Sequence, residues 1–272
     1  MSGAFNGLSD IIGKRLNWKS IGFSMEDRNQ QRSIDLLNQI TPQDFIDFGF
    51  EPEFIGRIPI HVACEDLEAE DLYHILKNSE GSIIKQYEQS FQAYNVEAMF
   101  SDASLHQIAV LAHHHKTGAR ALMTVCEKVL RDYKFELPSS PIKEFSVTKE
   151  IVNDPKAELE KIMTNQEYNS RLVFQERIRR YEEDFQEKHK MKIQFDQDAT
   201  EMIYERFIRN QKDPQKICDE ILESYQHGLS LIKQNTGKSD FTFTKPVVEN
   251  PDEVLEEWIR ESYNEKSKES RE

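Results

Sequence analysis

TPQDFIDFGFEPEFIGR, residues 41 to 57, is the stretch around which the rest of the chain is organised. Thr41-Pro42 makes a good helix start, Thr as cap and Pro in the first turn, and Phe45, Ile46 and Phe48 supply apolar contacts. The stretch ends in Phe54-Ile55-Gly56-Arg57, an arginine at the close of an apolar turn, and runs on into Ile58 to Ala63, where a short strand is expected. A guanidinium stays charged at any workable pH and grips oxyanions with several donors, so Arg57 suits a phosphate. Further on, Lys116-Thr117-Gly118-Ala119-Arg120 places a second arginine in the first turn of a helix. Two such arginines in one chain point to nucleotide contacts, although either alone is better explained by a surface ion pair.

The run EPEFIGRIP (51–59), the upstream GAFNGL (3–8) and the later HHHKTGARAL (113–122), in that order, resemble the ClpX family of AAA+ protein unfoldases. The likeness covers about residues 1 to 155. It implies that Arg57 is the catalytic arginine finger, reaching the ATP of a neighbouring subunit, and that Arg120 is sensor 2, touching the ATP of its own subunit with Gly118 and Lys116 beside it. It also implies that Ile21-Gly22-Phe23 is a loop that docks a ClpP-like peptidase. ATP and Mg²⁺ would be cofactors of the full homo-oligomeric ring, unfolded protein its substrate, and the cytoplasm its place. No G-x-x-x-x-G-K-[ST] phosphate loop occurs in the sequence, and no apolar strand ends in a Walker B acidic pair. The expectation is therefore the C-terminal part of an unfoldase, an ATPase family, holding no ATP tightly on its own. The alternative is a stand-alone, ATPase-derived adaptor without turnover.

Composition sets the outer bounds. The chain has 272 residues, 38% hydrophobic and 31% charged, which describes a helix-rich globular protein able to bury a core. A formal charge of −14 without a basic stripe argues against nucleic acid as a partner, and no apolar run approaches a membrane span. Cys64, Cys126 and Cys218 stand far apart and read as buried or inert thiols. His113, His114 and His115 point about 100° apart on a helix, which argues against a shared metal ion.

The expected fold class is α+β, mostly helical: the end of an incomplete AAA+ large domain over 1–63, then the helix and small-sheet plan of the AAA+ small domain over 64–163. That plan is expected again over 164–262, with a polar tail at 263–272. Tyr87 and Phe91 match Tyr181 and Phe185 at an offset of 94, Cys126 and Leu130 match Cys218 and Leu222 at 92, and FSVTKEIVNDPKAELEKI (145–162) matches FTFTKPVVENPDEVLEEW (241–258) at 96. Such narrow offsets argue for tandem duplication. The second copy has no arginine in the turn corresponding to Lys116–Arg120, so it is expected to keep the packing and lose the nucleotide contact. Between the copies, the Arg177 to Arg180 cluster is expected to form a solvated helix face.

Overall fold

The computed structural model describes residues 5, 7–16, 36–64, 67–79, 81–115, 117–210, 212–223 and 225–269. Ile21-Gly22-Phe23 and Lys116 lie outside the described residues. The chain divides into two compact units, Met1–Leu67 and Glu68–Glu272.

In the first unit, helices α1 (Leu8–Arg15), α2 (Pro42–Phe48) and α3 (Pro52–Gly56) enclose a small core of Leu8, Ile12, Phe45 and Ile55. Aromatic rings do much of the packing: Phe5 meets Phe45 edge-on at 5.8 Å and Phe50 at 5.5 Å. The one fully buried carboxylate of this core, Asp44, holds α1 to α2. It accepts from Arg15 Nε at 2.7 Å and Nη2 at 2.9 Å, and from the Thr41 amide at 2.7 Å and hydroxyl at 2.8 Å. Burial pushes the Asp44 carboxyl up, but these four bonds to its charged form outweigh it and hold the group below the ordinary carboxylate range. The strand expected at Ile58 to Ala63 does not form. Strands exist by pairing, and no described segment pairs with this one, so Ile60 and Val62 stand 75% and 78% exposed.

The second unit holds two successive sets of elements. The first set runs α4 (Ala69–Asn78), α5 (Ile83–Gln92), β1 (Glu97–Phe100), α6 (Asp102–His114), α7 (Arg120–Glu136), β2 (Glu144–Val147), α8 (Lys149–Asn153) and α9 (Pro155–Thr164). The second runs α10 (Gln166–His189), β3 (Lys192–Phe195), α11 (Gln197–Asn210), α12 (Pro214–Leu222), α13 (Tyr225–Thr236), β4 (Asp240–Phe243), α14 (Lys245–Glu249) and α15 (Pro251–Glu269). Each set contains a two-stranded parallel sheet, β1 with β2 in register Glu97↔Glu144 and β3 with β4 in register Lys192↔Asp240. Parallel strands need a long crossover, which the intervening helices supply.

Caps recur at corresponding places. Ser101 Oγ accepts the Ser104 amide at the start of α6, and Asp196 Oδ1 accepts the Ala199 amide at the start of α11. In the first core, Phe145 lies between Phe91 and Tyr133, at 5.1 Å and 5.5 Å. In the second, Tyr225 meets Phe243 at 5.0 Å, with Phe185 and Phe241 buried nearby. Of the matched positions in the second half, Phe185 and Leu222 are buried, as are Ile203 and Ile221, whereas Tyr181 and the neighbouring Phe195 are only half-buried. Tyr181 lines a cleft of about 230 Å³ with Asp184, Lys188 and Asp219, which leaves its ring open on one side.

The polar residues after Trp258 continue α15 as helix to Glu269; Ser262 packs against Asn235, whereas Tyr263 and Asn264 are exposed, since a helix anchored by Leu255 and Trp258 gains one backbone bond for each residue added. The Arg177–Arg180 cluster is not a solvated face. Arg177 reaches Glu144 at 2.6 Å and Glu97 at 3.3 Å, while Arg179 pairs with the buried Glu176 at 2.6 Å. Charge on a helix reads as solvated only until opposite charges on a neighbouring element are brought to it.

Candidate functional site

Arg57 caps the C-terminus of α3 in the right-handed helical region. Pro52 at the first position starts this short helix, and buried Ile55 anchors it, while Phe54 stacks on Phe50 at 6.3 Å. The anchor leaves the guanidinium outside: the Arg57 side chain is 77% exposed and, among the described residues, pairs with Glu53 at 2.8 Å across one helical turn. A pair as exposed as this contributes little and is easily given up for a stronger anion.

Arg120 opens α7. The chain enters through Gly118 at φ +60°, a conformation that glycine adopts at little cost and that turns Ala119 and Arg120 into the helix. Ala121 and Leu122, buried to 1% and 0%, fix the first turn, so that Arg120 is exposed on it. Among the described residues Arg120 has no ion pair. Arg57 and Arg120 belong to different units, each placed by its own core.

The corresponding turn of the second half is built differently. Asp213 caps α12, accepting the Gln215 amide at 3.1 Å, and Pro214 takes its first position. Lys212 stands where Arg120 does at the offset of 92, and its Nζ donates to Glu220 at 2.8 Å. Offset counting alone contains this equivalence, and the missing arginine hides it.

A second pair of matched contacts was also not anticipated. The Tyr87 hydroxyl donates to Glu127 at 2.7 Å, and the Tyr181 hydroxyl donates to Asp219 at 2.8 Å. Burial first, then the adjacent carboxylate, raises both phenols above the ordinary tyrosine range. Cys126 and Cys218 are buried, and burial pushes both thiols up, that of Cys126 to about 12, which leaves both unreactive. Cys64, by contrast, is exposed. Among the described residues no group of three His, Cys, Asp or Glu side chains gathers to hold a metal ion, and no helix is long and apolar enough to cross a membrane.

The described residues form mostly helices with two small parallel sheets, and arginines stand exposed at the ends of anchored helices. The particular likeness is to ClpX. The chain is 42% identical over 151 residues to the ATP-dependent Clp protease ATP-binding subunit ClpX of Borrelia duttonii (strain Ly), and 42% identical over 151 residues to that of Borrelia recurrentis (strain A1). It is 39% identical over 155 residues to the protein of the same name from Treponema denticola. These matches cover 55–56% of this chain, which is thus ClpX-like over that part, and 35–37% of the relatives, so the chain spans about a third of their length. No protein-family model matches the chain.

Proposed function

We propose that this chain serves as the C-terminal region of a ClpX-like, ATP-dependent protein unfoldase, and that the second half of its larger unit is a degenerate duplicate of the small domain. Arg57 acts as arginine finger, stabilising charge that develops on the γ-phosphate in the neighbouring subunit of a homo-oligomeric ring. Arg120, with Gly118 and Lys116 in its loop, acts as sensor 2 and couples the angle of the helical domain to nucleotide state. Ile21, Gly22 and Phe23 dock a ClpP-like peptidase, which receives the unfolded substrate.

The observation that carries this reading is Arg120. A cation exposed on a buried, preorganised helical turn, without an ion pair among the described residues, is what a phosphate contact requires. Bound ATP and Mg²⁺ would supply the phosphoryl group and its charge neutralisation, and the exposed guanidiniums of Arg57 and Arg120 fit the γ-phosphate. Arginines trim a phosphate site and do not replace the loop that cradles the β and γ phosphates. The chain alone should therefore show no micromolar ATP binding by calorimetry.

The decisive experiment grafts the ClpX-like part of this chain onto the remainder of the Borrelia duttonii ClpX and measures ATP hydrolysis. Turnover should depend on both arginines, with Arg57→Ala lowering it by a factor on the order of 10³ or more. Near-normal turnover in that variant would put the finger elsewhere. An adaptor without turnover is the second reading, and the second half favours it to this extent: by offset its turn carries Lys212, paired with Glu220, in place of an arginine.

A further inference from the structure

We infer that α10 is a clasp that fixes the second half of the larger unit to the first as one rigid body, with Arg177 as its pin. The inference stands on contacts across the seam and is independent of the nucleotide reading.

The seam lies along the outer edge of β2. The Glu97 amide donates to Lys143 O and the Ser101 amide donates to Val147 O, so the alternate residues Lys143, Phe145 and Val147 face β1. Glu144 and Ser146 lie between them and turn their backbone groups the other way, towards α10. There the Asn169 side chain donates to the Glu144 carbonyl at 2.9 Å, satisfying an edge acceptor that β1 cannot reach. Two turns further along α10, Arg177 donates to the Glu144 carboxylate at 2.6 Å and lies 3.3 Å from that of Glu97, pinning the ends of both strands. Its other nitrogen lies 3.9 Å from Asp213, the cap of α12, so one guanidinium ties the first sheet to two elements of the second half. Arg180 adds a contact to Glu88 on α5 at 3.8 Å, and the Tyr168 hydroxyl donates to the buried Glu158 of α9 at 2.7 Å.

The consequence is visible in burial. Ser146, on the covered edge, is 1% exposed, whereas Thr242, its match at 96 on the edge of β4, is exposed. Neither residue's amide faces the partner strand, so shelter by α10 is what distinguishes them.

The test is amide hydrogen exchange in the intact chain, resolved by residue. In the native protein the Ser146 amide should exchange slowly and the Thr242 amide fast. Arg177→Glu should speed exchange at Ser146 by about tenfold or more, the size of a lost charge-assisted bond, while Phe145 and Val147 keep the protection of the strand ladder. Reversing the charges, Arg177→Glu with Glu97→Arg and Glu144→Arg, should restore slow exchange. Unchanged exchange at Ser146 in Arg177→Glu overturns the clasp. Should that variant unfold, every amide will accelerate and the reversed charges decide: recovery supports the clasp, and failure to recover overturns it.

Discussion

The two halves of the larger unit are alike inside and unlike at the surface. Matched tyrosines reach matched acids, Tyr87 to Glu127 and Tyr181 to Asp219, and each half closes its core around aromatic residues on one parallel strand pair. Surface chemistry then diverges. The first half offers Arg120 from a glycine turn and has its sheet edge covered; the second ties Lys212 to Glu220 and leaves β4 exposed on its outer side. Packing tolerates few changes because each buried group has many neighbours, whereas an exposed turn is free to change once nothing binds there.

The heaviest strain on this comparison comes from emptying the two cores. Phe145→Ala and Phe243→Ala, each removing a fully buried ring, should each cost about 3–5 kcal/mol. Because α10 joins the halves, both variants should lower the midpoint of the same calorimetric transition; two separate transitions would break the unity of the unit. A smaller effect should appear in the second half alone. Gly228 on α13 lies so close to α15 that an added Cβ would meet Leu255 Cδ1 at 2.5 Å. Gly228→Ala should therefore destabilise by roughly 1–3 kcal/mol in denaturant titration, and an unchanged midpoint would mean that Leu255 swings aside.

The finest test concerns the matched phenols. Tyr87→Phe and Tyr181→Phe should cost similar amounts, about 1–2 kcal/mol each. Both phenols are raised above the usual value, so the folded state holds their protons more tightly than the unfolded chain does. Their contribution is complete below an unfolded value of about 10 and is lost as pH rises through the higher folded values. The alkaline decline of stability should be shallower in the double Phe variant, and an identical decline would separate the two pairs from stability.

Much of this architecture was legible because periodicity and caps act locally. Thr41-Pro42 at the start of α2 depends on neighbours within a few residues. The match of 145–162 with 241–258 at an offset of 96 falls on β2 and β4, each of which pairs in parallel with the strand before it. The arginine cluster was misread because its acids lie far away in sequence: Glu97 and Glu144 reach Arg177 only once α10 has docked. The strand at Ile58 to Ala63 was overcalled for the opposite reason, its pattern being local while a strand needs a partner. For the candidate site, the sequence located the exposed positions of Arg57 and Arg120, but the tie between Lys212 and Glu220 depended on how α12 turned.

The contrast between the two turns can be measured directly in the graft onto the Borrelia duttonii ClpX, extended through residue 269, by comparing ATP turnover of Arg120→Ala with that of Lys212→Ala. The account predicts that Arg120→Ala lowers turnover by about a hundredfold or more, as loss of a preorganised charge contact does, while Lys212→Ala leaves it unchanged. Equal turnover in the two variants, or a loss confined to Lys212→Ala, would contradict it.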